Sequence, residues 1–109
     1  MTTIALDYDE TYTADPKLWA PFLSLAKLND VRVVIVTFRD EQLDRIDVTR
    51  LRDIPIYYTG GVAKEFFMLH FGEPIDVWID DKPKTIFENS TFSPEGLAKW
   101  RENNALSKT

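Results

Sequence analysis

Two pairs of aspartates are the residues best suited to chemistry, because each pair closely follows a short apolar run. Asp7 and Asp9 form the first pair, and Asp80 and Asp81 form the second. If the two pairs face each other, the four carboxylates cannot all stay ionised without a cation. Oxygen ligands with no thiolate or imidazole among them suit a hard ion that prefers octahedral coordination. The pattern therefore predicts a Mg²⁺ site.

One hydroxyl and one amine complete the set, since Thr37 ends a second apolar run and Lys64 follows a third after a short turn. A bound Mg²⁺ would screen a phosphoryl group from an attacking carboxylate, so one aspartate could act as nucleophile and form an aspartyl-phosphate. A second aspartate two residues on points the same way in an extended segment and could act as acid and then base. The Thr37 hydroxyl and the Lys64 ammonium could hold the phosphoryl oxygens in the transition state.

The elements that must position these side chains alternate between strands and helices. Short apolar runs predict strands at residues 3–6, 31–36, 54–58 and 75–79. Start signals predict helices that begin at Pro16, after Asp40 (through about Ile46), after the turn at Gly60-Gly61, at Pro83 and at Ser93. This alternation predicts an α/β fold, with a three-layer, doubly wound (Rossmann-like) parallel sheet of about four strands.

Two residues predict the strand order. Pro55 cannot donate a hydrogen bond to a central ladder, which places the third strand at one edge. Asp76 makes the fourth strand a plausible opposite edge, so the expected order is 4-1-2-3 with the first strand in the centre. In such sheets ligands bind beyond the carboxyl ends of the strands. The candidate side chains collect at those ends.

Apolar spacing also predicts which helix faces are buried. In the helix that Asp15 caps, the expected buried face carries Leu18, Phe22, Leu25 and Ala26. The helix after Gly60-Gly61 is expected to bury Ala63, Phe66, Phe67, His70 and Phe71 and to end at Gly72. We expect His70 to be a buried, hydrogen-bonded core residue, and Trp78 to belong to the core.

Composition sets wider bounds. The 109 residues fit a single domain, with a polar tail from about residue 106. A net charge of −5 argues against bulk nucleic-acid binding, although a local positive cluster with a metal could still bind a phosphorylated molecule. The chain has no cysteine, no apolar run of about 20 residues and no basic leader, so a cytoplasmic location is the default expectation and no membrane partner is expected.

The sequence Asp7-Tyr8-Asp9-Glu10-Thr11 after an apolar strand resembles the first motif of the haloacid dehalogenase-like phosphatase superfamily. Thr37, Lys64 and Asp80-Asp81 resemble its second, third and fourth motifs, in the same order. The resemblance spans about residues 3 to 88. It implies a phosphoric monoester hydrolase in which Asp7 is the nucleophile and Asp9 the general acid and base. Mg²⁺ would be held by Asp7, the Asp9 carbonyl and either Asp80 or Asp81.

Spacing between the motifs implies the small, capless type, similar to short phage-encoded members of the superfamily. Residues 12–31 and 38–63 leave no room for an inserted lid. An open site suits a phosphorylated small molecule or a phosphoryl group exposed on a larger substrate, and a neighbouring subunit could close it. The Asp-x-Asp-Glu-Thr variant is similar to that of phosphoprotein phosphatases, but Asp80-Asp81-Lys82-Pro83 departs from their fourth motif.

Two further residues are candidates for substrate contact, Thr11 and Arg39. Arg39 could bind a substrate phosphate bidentately, or it could equally pair with Asp40 or Glu41. A response-regulator receiver uses similar residues in a different order and is rejected. The alternatives left open are a non-catalytic binding module with this fold, or a phosphatase specific for nucleotides, polynucleotide ends or phosphoproteins.

Overall fold

The computed structural model describes residues 1–47, 49, 51 and 53–90. A four-stranded sheet forms its centre, and all neighbouring strands run parallel. The strands are β1 (Thr3–Leu6), β2 (Arg32–Thr37), β3 (Ile56–Tyr58) and β4 (Val77–Ile79). Their order is β3-β2-β1-β4, which confirms the predicted order.

Register brings the carboxyl ends of the strands level with one another. Leu6, the last residue of β1, is paired with Ile35 in β2 and with Ile79 in β4. Thr37, the last residue of β2, is paired with Tyr58 at the end of β3. The side chains that follow these strands therefore lie together at the carboxyl ends of the strands.

Successive residues of the central strands contribute to two separate hydrophobic clusters, as expected when side chains alternate between sheet faces. Leu6, Val33 and Ile35 pack in one cluster with Leu23 and Ala26 of helix α1 (Pro16–Leu28). The second cluster contains Ala5, Val34, Val36 and Met68. Met68 belongs to helix α2 (Lys64–Phe71), so the two longer helices each contribute to a different cluster.

The predicted buried face of α1 is wrong in part. Leu18 and Leu25 are exposed, whereas Leu23 and Ala26 are buried, and Trp19 and Phe22 pack against them. A helix advances about 100° per residue. Leu18 and Leu25 therefore lie outside the stripe formed by residues 19, 22, 23 and 26.

The predicted face of α2 is also wrong in part. Phe66, His70 and Phe71 are exposed, whereas Ala63 and Met68 are buried and Phe67 is half-buried. The buried contacts of Lys64 turn its position on the helix inward. Position 66 lies about 200° further round the helix and therefore points outward.

His70 is consequently not a core residue. Its Nδ1 lies 2.8 Å from the Phe66 carbonyl oxygen, so the expected hydrogen bond forms on the surface. Trp78 is half-buried and packs against the cluster that contains Met68. The core prediction for Trp78 therefore holds only in part.

The segment after Asp40 forms a turn instead of the predicted short helix. The Asp40 Oδ1 accepts hydrogen bonds from the backbone N–H groups of Gln42 and Leu43 at 2.9 Å each. Its carbonyl accepts from the Asp44 N–H at 2.9 Å. The capping role of Asp40 is present, but no helix continues through the described residues to Ile46.

Other elements differ from the predictions mainly at their boundaries. β3 begins after Pro55 and β4 after Asp76, and both occupy edges of the sheet. Gly60 and Gly61 form the predicted turn with φ values of 62° and 86°, which glycine adopts without strain. Pro83 precedes a short helix, α3 (Lys84–Phe87). The helix predicted from Ser93 and the polar tail lie outside the described residues. No helix in the described part of the chain is long and apolar enough to cross a membrane.

Candidate functional site

A cleft of about 340 Å³ opens at the carboxyl edge of the sheet. Its lining includes all six residues that the sequence marked as catalytic or metal-binding, namely Asp7, Asp9, Thr37, Lys64, Asp80 and Asp81. A larger groove of about 1040 Å³ lies beyond β3 and contains none of them. The clustered carboxylates, the lysine and the threonine make the smaller cleft the candidate functional site.

Lys64 connects two of the carboxylates. Its Nζ donates to the Asp7 Oδ1 at 2.8 Å and to the Asp80 Oδ2 at 2.5 Å. The side chains of Lys64, Asp7 and Asp80 are only 2%, 9% and 2% exposed. An ammonium group in this position offsets much of the cost of burying two carboxylates.

Asp7 follows β1 directly, and its backbone N–H donates to the Ile79 carbonyl of β4 at 2.9 Å. Burial raises the pKa of Asp7 to about 6, although the charge of Lys64 and its hydrogen bond oppose that shift. A carboxylate at this depth is poorly hydrated. Asp7 also lines the cleft directly after the central strand β1, so its carboxylate could attack a substrate atom brought into the cleft.

A short π-helical turn (Tyr8–Tyr12) was not predicted from the sequence. Inside it the backbone of Asp9 is extended and Glu10 has a φ of 62°, so the chain folds back towards β1. Thr11 thereby reaches the site, where its Oγ1 lies 3.0 Å from the Asp7 Oδ2 and 3.0 Å from the Asp81 Oδ1. The Asp81 backbone N–H donates to the same hydroxyl at 3.1 Å. Thr11 thus links the first and fourth strand ends.

The two members of the second acid pair have different surroundings. The Asp80 Oδ1 accepts from the Lys82 N–H at 2.9 Å, and its Oδ2 accepts from Lys64 and from the Thr85 hydroxyl at 3.2 Å. Asp81 is more exposed and pairs with Thr11. Burial opposes a fall in the pKa of Asp81, but hydrogen bonding to Asp7 and Thr11 lowers it overall.

Three carboxylates could hold a metal ion. One oxygen from each of Asp7, Asp80 and Asp81 lies within 4.8 Å of the others. The donor set consists only of oxygen, which suits a hard divalent cation. The Asp9 carboxylate is not part of this group among the described residues.

Asp9 instead forms an ion pair with Arg39. The Arg39 Nε and Nη2 donate to the two Asp9 oxygens at 2.9 Å and 2.7 Å. Arg39 also donates to the Asp44 Oδ1 at 3.2 Å and lies 5.0 Å from the centre of the Tyr8 ring. The hydrogen bond to Asp9 raises the pKa of Arg39. Its observed partners are therefore Asp9 and Asp44, and neither is a partner considered from the sequence.

Thr37 ends β2 as a buried residue, and its Oγ1 accepts a hydrogen bond from the Arg39 N–H at 3.2 Å. Its carbonyl accepts from the Thr59 N–H at 2.8 Å, which continues the β2–β3 pairing past the strand ends. These contacts fix the position of the Thr37 side chain at the base of the cleft.

Comparison with models of known protein families, with curated proteins and with solved structures finds no match for this chain. These comparisons therefore assign no function to the site.

Proposed function

We propose that this chain is a Mg²⁺-dependent phosphate monoester hydrolase that uses Asp7 as a covalent nucleophile. The observation that carries the proposal is the buried Lys64 bridge between Asp7 and Asp80, in a cleft also lined by Thr37 and Asp81. Asp7 would supply the nucleophile, the Lys64 ammonium the positive charge and Thr37 the hydroxyl, and all three residues line this cleft. The proposal includes a doubly wound, three-layer fold of the capless haloacid dehalogenase-like type over residues 1–109.

The residues that would hold Mg²⁺ are Asp7 and Asp81, with the Asp9 carbonyl as a further oxygen ligand. Lys64, Thr85 and the Lys82 N–H already bind both oxygens of Asp80. Asp81 is the more exposed of the second acid pair and forms no ion pair among the described residues, so we assign direct ligation to Asp81 and give Asp80 the role of holding Lys64 in place. When bound, the ion would neutralise phosphoryl charge next to the attacking carboxylate.

Each step of the reaction then has a residue to perform it. An Asp7 oxygen forms a bond to phosphorus as the bond from phosphorus to the leaving-group oxygen breaks, and Asp9 gives that oxygen a proton. Lys64 and Thr37 hold the phosphoryl oxygens while charge moves onto them. A water molecule then attacks phosphorus as Asp9 takes its proton. Inorganic phosphate leaves and the Asp7 carboxylate is restored.

The substrate in this proposal is a phosphorylated small molecule or a phosphoryl group exposed on a larger one. Residues 12–31 contain the end of the π-helical turn and α1, and the described part of residues 38–63 contains the turn after Asp40 and β3. Neither connection supplies a separate folded lid in these described residues. A substrate that supplies its own contacts is therefore favoured.

Hydrolysis of an aryl phosphate, measured with Mg²⁺ and with EDTA, tests the proposal. We expect turnover only with the metal, and no turnover from Asp7→Asn, whose amide is nearly isosteric but a poor nucleophile. Asp53→Asn is the matched control, because Asp53 pairs with Lys27 at 3.6 Å in solvent away from the cleft. Acid quenching during turnover should leave one phosphoryl group on the parent chain and none on Asp7→Asn. Full activity of Asp7→Asn would falsify covalent catalysis.

A further inference from the structure

The pairing of Asp9 conflicts with its role as general acid, which belongs to the function proposed above. Arg39 holds both Asp9 oxygens at once, through Nε and Nη2. A bidentate pair of this kind fixes the carboxylate in direction as well as in distance. While it persists, Asp9 has no oxygen free to give a proton to a leaving group.

Asp9 lines the cleft, and Arg39 pairs with it from outside the lining residues. The side chains of Arg39 and Asp9 are 23% and 49% exposed, whereas Lys64 and Asp80 are almost fully enclosed. A phosphoryl group bound to Asp7 would have Lys64 and Thr37 beside it at the base. The more exposed Arg39–Asp9 pair therefore lies on the solvent side, where the leaving-group part of such a substrate would extend.

We propose that Arg39 is a specificity-determining residue, which releases Asp9 when a second anionic group, carried by the leaving-group part of the substrate, takes its place. The enzyme therefore selects phosphate monoesters whose leaving group bears a carboxylate or a further phosphate. Such a group offers Arg39 the same paired oxygens that Asp9 offers. The exchange conserves two charged hydrogen bonds and frees the acid only when the correct substrate is bound.

The surroundings of Arg39 fit a residue that changes one partner and keeps the others. Its Nη1 bond to Asp44 and its contact with the Tyr8 ring involve neither oxygen of Asp9. Its carbonyl accepts from the Gly60 N–H at 3.1 Å, which fixes the backbone. The guanidinium can stay in position while the Asp9 side chain rotates away.

The test compares two substrates that differ in one group, 3-phosphoglycerate and glycerol 3-phosphate. In the first a carboxylate stands where the second has a hydroxymethyl group. We expect the parent protein to prefer 3-phosphoglycerate by about ten- to hundredfold in kcat/KM. Arg39→Gln should remove that preference, because it lowers kcat/KM for 3-phosphoglycerate and raises turnover of glycerol 3-phosphate, for which Asp9 is no longer held. Arg39→Lys should restore only part of the preference, since lysine cannot bind two oxygens in parallel.

Arg45→Gln is the matched control, because it removes the same charge from an arginine that is largely exposed and pairs with Glu41 at 3.8 Å. It should keep the preference. Retention of the preference in Arg39→Gln would overturn the inference, as would its loss in Arg45→Gln or an equal loss of activity on both substrates in Arg39→Gln.

A binding measurement separates this inference from the proposed function. Calorimetric titration of both phosphate esters into Asp7→Asn protein should show tighter binding of 3-phosphoglycerate, and the additional change Arg39→Gln should abolish the difference. If the parent protein hydrolyses no ester but this pattern appears, the proposed function fails and the anion site of Arg39 stands. If hydrolysis occurs and the two esters bind equally, the function stands and this inference fails.

Discussion

Lys64 is the residue on which the buried charges of the cleft depend. It compensates two carboxylates that are themselves almost fully enclosed. Removal of one partner from a buried ion pair costs about 3–5 kcal/mol, because the remaining charge stays uncompensated. We predict that Lys64→Met lowers the free energy of unfolding by about that amount without metal, as measured by urea denaturation. Added Mg²⁺ should recover part of the loss by supplying positive charge to the same carboxylates.

The control for this prediction is Lys84→Met. Lys84 is exposed and pairs with Glu88 at 3.9 Å, four residues along the chain. Exposed pairs of this type contribute about 0.3–0.5 kcal/mol, so the control should differ little from the parent. Similar losses in the two variants would show that Lys64 has no special role in compensating charge.

The sequence was sufficient to predict which side chains meet in the cleft, but not how they pair. Asp7, Thr37 and Lys64 meet because parallel strands end along one edge, and apolar runs reveal where strands end. The Arg39–Asp9 pair could not be predicted in this way. It depends on the π-helical turn, which orients Asp9 towards Arg39, and on the positive φ of Glu10, which no residue type in that segment indicates.

A second polar cluster, outside the cleft lining, connects β2, β3 and the segment before β4. Arg32, the first residue of β2, donates through Nε and Nη2 to both oxygens of Glu73. Tyr57 of β3 donates its hydroxyl to the Glu73 Oε2 at 2.6 Å. Glu73 lies in the segment that leads to β4, so the cluster ties that segment to the other edge of the sheet.

This cluster predicts a pH-dependent contribution to stability. The hydrogen bond from Arg32 lowers the pKa of Glu73 below its ordinary value of 4.5, against burial, and Tyr57 adds to the effect. Because the pKa of Glu73 is lower in the folded protein than in the unfolded chain, its ionised carboxylate stabilises the fold at pH values above 4.5. This stabilisation is lost as the pH falls through the pKa of the folded protein. We expect Glu73→Gln to lower the free energy of unfolding by about 1 kcal/mol at pH 7. The expected loss is no larger because Arg32 is 42% exposed and solvent screens the ion pair. The difference between variant and parent in urea denaturation should shrink below about pH 4.5.

Glu41→Gln provides the comparison, because Glu41 and Arg45 form a longer, exposed pair. It should change stability by less than about 0.5 kcal/mol. If the cost of Glu73→Gln were constant from pH 7 to pH 3, the shift in the pKa of Glu73 would not be its cause.

The limits of sequence-based prediction are clearest in the helices. Strand positions and order followed from β-branched runs and from Pro55, because burial of a parallel strand leaves little choice of residue. The face of α2 did not follow from apolar spacing, since the burial of Lys64 outweighs the burial of Phe66 and His70. The Asp40 side chain accepts the hydrogen bonds expected of a helix cap, but they close a single turn and no helix follows in the described residues up to 47.

Across the whole chain, the distribution of charge concentrates carboxylates in the cleft. The chain has a net charge of −5, and acids converge in the cleft because the strand order brings β1 and β4 side by side. Lys64 is buried between two of these acids, and Lys82 pairs with Glu10 at 3.1 Å. The Asp81 carboxylate has no ion-pair partner among the described residues. Folding without metal therefore brings negative charges together at a cost.

A ligand that binds only the folded state stabilises it, by about 2.7 kcal/mol when its free concentration is a hundred times Kd. We predict that Mg²⁺ raises the free energy of unfolding of this protein in this saturable way, as measured by urea denaturation over a series of concentrations at constant ionic strength. Asp81→Asn should abolish most of the rise, because Asp81 is the exposed member of the three carboxylates that could hold the ion. Asp30→Asn is the control: Asp30 lies after α1 with a φ of 56°, which asparagine tolerates, and it is remote from the cleft. It should keep the full rise. An equal rise in both variants would mean that Mg²⁺ acts by screening the net charge and not by binding at the cleft.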